Sequence, residues 1–174
     1  KVHSTFKNLS SQEVSGIDIS GNYNHSLDDL GLLKFNLEWA YQDKFEKDGR
    51  DYTGEYGYPE HRWIFSTNWE IGQFNTNINI SYVGEVEDTP DIDLDGNLDF
   101  DSNTSRMVDS QILVDLQTSY HVTEFTKVSL GVNNLLDEEP PFAIGDGDGD
   151  LYGYVSGVHN PRGRYLYTKV SFLF

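Results

Sequence analysis

The feature that most constrains this chain is a two-residue alternation of apolar and polar side chains, held for about ten residues at a time. In residues 62–71, Trp63, Phe65, Thr67, Trp69 and Ile71 alternate with Arg62, Ile64, Ser66, Asn68 and Glu70. In residues 74–83, Phe74, Thr76, Ile78, Ile80 and Tyr82 alternate with Asn75, Asn77, Asn79 and Ser81. Period two sends successive side chains to opposite faces of a pleated strand, whereas an amphipathic helix repeats every 3.6 residues. The pattern recurs in 14–24, 33–42, 111–121, 127–133 and 165–174, so seven strands are expected. Gly72 and Gln73 alone separate two of them, which marks a tight hairpin.

The connections carry a second pattern. Residues 26–31, 72–73 and 122–125 are short turns, and they alternate with long polar segments at 44–60, 85–109 and 136–160. Strands near the ~9–11 residues that cross a bilayer when tilted, with short turns at one end and long loops at the other, describe a transmembrane β-barrel. The apolar faces would meet lipid and the Asn/Ser/Gln faces a hydrated lumen. Trp39, Tyr41, Trp63 and Tyr82 would form a belt at the long-loop side, and Trp69, Phe74, Tyr120, Phe172 and Phe174 one at the short-turn side. A soluble β-sandwich alternates in the same way, so a secreted sandwich binding carbohydrate through Ca²⁺ in its acidic loops is the competing reading. It predicts a second sheet over the apolar face. An odd, open set of strands leaves two unpaired edges in lipid, so the chain is expected to be part of a larger closed barrel.

Charge and composition narrow the function. Twelve Lys and Arg stand against 29 Asp and Glu, a net charge of −17, and a nucleic-acid partner is excluded on that balance. With no cysteine there is no disulfide framework. No signal peptide is visible at the start and no run reaches the ~18 apolar residues of a membrane helix, which is neutral for a barrel. His3, His25, His61, His121 and His159 are scattered without zinc spacing. No nucleophile elbow, phosphate loop or dinucleotide fingerprint occurs, so no catalytic residue is assigned and no enzyme is expected. His61 and His159 are placed at the rim near the loop bases. Lys34, Glu38, Arg62, Glu70, Asp115 and Lys169 are read as a charge network on the lumen wall.

Two acidic stretches are candidate metal sites. Asp91, Asp93 and Asp95 with Gly96 open like a calcium loop, although Ser102 stands where a bidentate Glu would close it. Asp146, Asp148 and Asp150 alternate with glycines. Ca²⁺ takes 6–8 oxygens and would relieve the mutual repulsion of these carboxylates, so Ca²⁺ is the one cofactor expected, set against a plain solvated loop.

The end of the chain resembles a known family. The block LGVNNLLDEEPPF, with Gly131, Asn133, Asn134, Leu135, Asp137, Pro140 and Pro141, is followed by NPRGRYLYTKVSFLF, with Pro161, Gly163, Arg164, Tyr165 and Phe174. The combination is similar to the C-terminal end of TonB-dependent outer-membrane receptors. That resemblance implies an all-β, antiparallel transmembrane barrel of about 22 strands around a plug. Residues 1–174 would be its last seven strands, with the plug domain and earlier strands not in this chain. It implies active transport of a scarce ligand (siderophore, cobalamin, haem or oligosaccharide) across the outer membrane of a Gram-negative bacterium. The implied partners are the rest of the barrel and plug, a TonB-type coupling protein, outer-membrane lipid and a small extracellular ligand. The resemblance also implies that the terminal Phe174 is needed for assembly. Tyr52, Tyr56, Tyr58, Tyr152 and Tyr154 in the long loops are the candidates for stacking on such a ligand.

Overall fold

The alternating segments form one antiparallel meander. The computed structural model describes residues 11–88, 106–143 and 152–174. Its strands are β1 (Gln12–Ser26), β2 (Leu32–Lys47), β3 (Arg50–Asp51), β4 (His61–Ile71), β5 (Phe74–Val83), β6 (Val86–Glu87), β7 (Met107–Val108), β8 (Gln111–Thr123), β9 (Thr126–Asn133) and β10 (Tyr165–Phe172). The seven long strands pair in chain order, β1-β2-β4-β5-β8-β9-β10, and β3 adds to β2. All seven expected strands are present, and no helix among the described residues is long and apolar enough to cross a membrane.

Register keeps like beside like. Trp39 lies opposite Trp63, Trp63 opposite Tyr82, and Tyr82 opposite Ile112 on one face. On the other, Asn36 faces Ser66, Ser66 faces Asn79, and Asn79 faces Asp115. A one-residue slip would exchange the two faces along a whole strand, so this pattern fixes the pairing. The apolar face is bare: Ile19, Val170 and Phe172 are exposed, and Leu130 keeps 62% of its surface. A sandwich would lay a second sheet there, but the other sheet among the described residues is only the two-residue pair β6–β7. The competing sandwich reading therefore fails on its own discriminating observation.

The aromatic rows fall at the two ends of that bare face. Trp63 stacks on Tyr82 at 5.3 Å toward the long loops. Phe74 and Tyr120 meet at 4.7 Å toward the short turns, where the Trp69 indole N–H donates to the Leu30 carbonyl at 2.8 Å. Trp63 and Trp69 are six residues apart on β4, about 20 Å of strand.

One irregularity resets the faces. The β1–β2 register steps between Ser15 and Gly16, so that Lys44 faces Ser15, Gln42 faces Gly16 and Asp43 is left over. Such a bulge lets the backbones approach closely; a Cβ on Gly16 would collide with the Tyr41 carbonyl oxygen. Beyond the step, Lys44 bonds Glu13 at 3.0 Å and Glu46 at 2.9 Å on the side that Tyr41 had kept apolar. Phe45 has turned to the other side, where it stacks on Tyr58 at 4.3 Å. The apolar belt ends where the bulge sits.

The long segments are less irregular than expected. Segment 44–60, expected as a loop, is half hairpin: β2 runs on to Lys47 and turns through Asp48 and Gly49 into β3. Asp48 (φ 55°) and Gly49 (φ 83°) both lie in the left-handed region that a two-residue primed turn needs. Segment 85–109 is likewise clamped at its base by β6 and β7. The buried apolar core is here and not in the sheet: Val86, Val108, Ala143 and Val155, flanked by Tyr56 and Val158, draw on all three long segments.

Candidate functional site

Three long connections meet at one end of the sheet and form a cap. The first two are joined by the Glu87 N–H donating to the Gly54 carbonyl at 2.7 Å and by a bridge between Glu55 and Glu87. The second and third are joined by Arg106. Its guanidinium pairs with Asp88 at 3.1 Å, donates to the Phe142 carbonyl at 2.9 Å, and lies 4.9 Å from the centre of the Phe142 ring. Asp88 is only 2% exposed, and the Arg106 pairing helps to offset the cost of its burial. The Tyr56 hydroxyl donates to the Tyr154 carbonyl at 3.4 Å, joining the first segment to the third. The four small apolar residues of the cap core were missed in the sequence, because single valines in polar segments carry no period.

This geometry sorts the five loop tyrosines. Tyr58 lies on Phe45 and 6.0 Å from Tyr52, and the Arg50 guanidinium sits 4.5 Å from the centre of the Tyr52 ring. Tyr52, Tyr56 and Tyr58 thus hold the cap together. Tyr154 is half-buried beside Tyr152 at 6.0 Å, and Tyr152, 72% exposed, is the one broadly open to a ligand. In the β3 hairpin, the Thr53 hydroxyl and N–H, at 2.7 and 3.0 Å, hold the Asp51 carboxylate below the usual carboxylate range.

Beneath the cap the polar face forms a concavity of about 570 Å³, with Asp18, Ser20, Glu38, Arg62, Ile64 and Ser81 on its wall. The expected charge network is sparse. Lys34 pairs with Glu70 at 2.7 Å, and Asp115 accepts the Asn134 N–H at 2.8 Å. Among the described residues Glu38, Arg62 and Lys169 make no ion pair with a neighbour. Farther along the polar face from the cap, amides and hydroxyls pair with one another: Asn68 and Asn75 bond reciprocally at 2.9 and 3.1 Å, and Ser66 donates to Asn79 at 2.7 Å. Neutral donors and acceptors of this kind can bind a polar surface without the cost of burying unpaired charge.

The signature residues near the end of the chain have structural work. Tyr167 lies across Gly131 and its hydroxyl donates to the Gln117 side-chain amide oxygen at 3.0 Å; a Cβ on residue 131 would clash with the Tyr167 ring. Asn134, 3% exposed with φ 50°, donates to the carbonyls of Glu138 and Arg162 at 2.8 and 3.0 Å and accepts the Glu138 N–H at 2.9 Å. Asp137 accepts the Arg164 N–H at 2.7 Å. Together they clasp the two ends of the β9–β10 connection. Sequence showed which residues mattered there but not that they serve the backbone.

The two rim histidines differ. His61 stacks between Trp39 at 5.8 Å and Tyr41 at 5.0 Å on the apolar side. His159 is 4% exposed in the cap, and burial, then the Arg62 guanidinium, push its imidazole below the usual histidine value. Asp91, Asp93, Asp95, Asp146, Asp148 and Asp150 lie outside the described residues. Among the described residues no three His, Asp or Glu side chains are grouped to hold a metal.

Comparison with known proteins fits this architecture. Residues 2–135 match the family model described as TonB dependent receptor-like, beta-barrel. The match thus rests on the strands before the terminal motif and ends inside the LGVNNLL block. No curated protein matches the sequence. Among solved structures, a variant of the ferric enterobactin receptor of Pseudomonas aeruginosa superposes with a TM-score of 0.64 at 19% identity, over 92% of this chain and 22% of that one. The copper transporter OprC gives 0.61 at 19% identity, over 92% and 23%. The pyoverdine outer membrane receptor FpvA of P. aeruginosa PAO1 gives 0.59 at 14%, over 89% and 21%. At these identities the likeness is one of fold, and the chain spans about a fifth of the length of those receptors. The chain belongs to the TonB-dependent receptor β-barrel family, and its seven long strands are part of such a barrel.

Proposed function

We propose that this chain supplies wall strands and outer loops to a receptor that imports a scarce ligand across the outer membrane of a Gram-negative bacterium, energised through a TonB-type coupling protein. The observation that carries this reading is the two-faced single sheet capped at one end. Its bare apolar face, with aromatic rows at both ends, suits lipid, and its polar face, with rows of paired amides and hydroxyls, suits a plug and a passing polar ligand. The plug and the remaining strands are the partners that would close the barrel, and the plug would receive the energy. No catalytic role is part of this reading.

The ligand class is a ferric siderophore, cobalamin, haem or an oligosaccharide. The names of the similar structures, a ferric enterobactin receptor, a copper transporter and a pyoverdine receptor, add copper to the panel to be tested. The test uses the full-length receptor gene. A deletion strain is compared with its complement for uptake of each labelled ligand, with and without a functional coupling protein. Loss of uptake of one ligand on deletion, and again when the coupling protein is removed, is expected. Unchanged uptake across the panel, or uptake that persists without the coupling protein, overturns the reading.

A further inference from the structure

His159 is the one histidine of the cap that burial isolates. It is 4% exposed, and neither ring nitrogen has a hydrogen-bond partner. Buried polar atoms are almost always paired, so an orphaned imidazole needs a reason. Its backbone N–H donates to the Val155 carbonyl at 2.9 Å, which places it beside the cap core. The next residue, Asn160, is clamped to Gln111 on β8 by two hydrogen bonds of 3.0 and 2.9 Å, and Gln111 is itself buried. The seat of this loop is therefore the outer end of β8, with β4 contributing Arg62.

Among the described residues, the one charge that acts on the ring is positive. From β4 comes the Arg62 guanidinium, a cation. Gln111 of β8, which clamps the adjacent Asn160, is neutral, and so are Val155, whose carbonyl accepts the His159 N–H, and its neighbour Val158 in the cap core. No described carboxylate lies within ion-pair distance. A neutral imidazole tolerates this seat; an imidazolium would be desolvated, without an acceptor and next to a like charge.

We propose that His159 is an acid-sensitive latch: its neutral ring lets residues 152–160 seat on the end of the sheet, and its protonation unseats that stretch and loosens the cap. The sign follows from linkage. The unseated loop binds a proton at the ordinary histidine value, while the seated loop resists it. Seating is therefore fully favoured above about pH 6.5 and is progressively lost as pH falls below it.

The test is hydrogen–deuterium exchange of the full-length receptor, following peptides that cover residues 152–160 from about pH 8 to about pH 5, corrected for intrinsic exchange. The unmodified receptor is expected to lose protection there in acid while the sheet keeps its own, and His159→Phe, of similar bulk but unable to titrate, is expected to stay protected. If the unmodified loop keeps its protection throughout, or the Phe variant opens in acid just as readily, the latch is wrong. Should His159→Phe fail to assemble, Arg62→Gln decides: removing the facing cation must move the opening to lower pH, and an unmoved midpoint overturns the proposal.

Discussion

Gly131 and Tyr167 act as one unit. The ring lies where any side chain on residue 131 would have to go, so Gly131→Ala must displace it from Gln117. The expected cost is about 1–3 kcal/mol, as for other overpacked sites. Adding Tyr167→Ala should recover part of it, because the two changes share one space. Asn134→Ala removes three hydrogen bonds to the ends of the β9–β10 connection and leaves a β-carbon at φ 50° without the local bonding that tolerates it. We expect a loss of at least about 1–3 kcal/mol. Urea unfolding of the refolded full receptor in detergent, read by its heat-modifiable gel mobility, measures both. Gly131 and Asn134 could be picked out in the sequence by their resemblance to a family signature; Tyr167 could not. Their reasons could not, since a left-handed asparagine and a glycine beneath a tyrosine are defined by neighbours 28 and 36 residues away.

The strands are where sequence and structure agree most closely, because period two is a local property that pairing only reinforces. Their faces lead to a direct comparison. Ile78 lies between Thr67 and Leu116 on the apolar side, while Asn77 lies between Asn68 and Gln117 on the polar side. In the assembled receptor, Ile78→Arg should cost about 2–4 kcal/mol and Asn77→Arg much less. Equal losses in the same unfolding assay would contradict the face assignment. The hairpin from β2 to β3 was legible but overlooked: Asp48 and Gly49 form one of the strongest short-range hairpin signals, yet they sit in a stretch whose polarity reads as loop. The cap core was not legible. Val86, Val108, Ala143 and Val155 are solitary in sequence and become neighbours only when the sheet brings its second and third long connections to one end.

At the scale of the molecule, cap and sheet are held by different contacts. The sheet has few buried apolar residues of its own and depends on its surroundings, whereas the cap carries a small buried apolar core. Val155→Asp would bury an unpaired carboxylate in that core. Limited proteolysis should then cut the long connections faster, with the barrel's heat-modifiable mobility unchanged; loss of both together would mean that cap and sheet unfold as one. The bulge at Asp43 adds a boundary of another kind. Below it, deleting a single codon from β2 would invert every later side chain relative to the belt, so the gene there is held in phase two residues at a time. Above it the parity has already been reset and, past the four pairs from Ser15–Lys44 to Gln12–Lys47, the strand turns back on itself at Asp48 and Gly49, so the length beyond that turn is free of the belt's phase. Natural length variation among receptors built this way should begin at that turn, and peptide insertions for surface display belong beyond it.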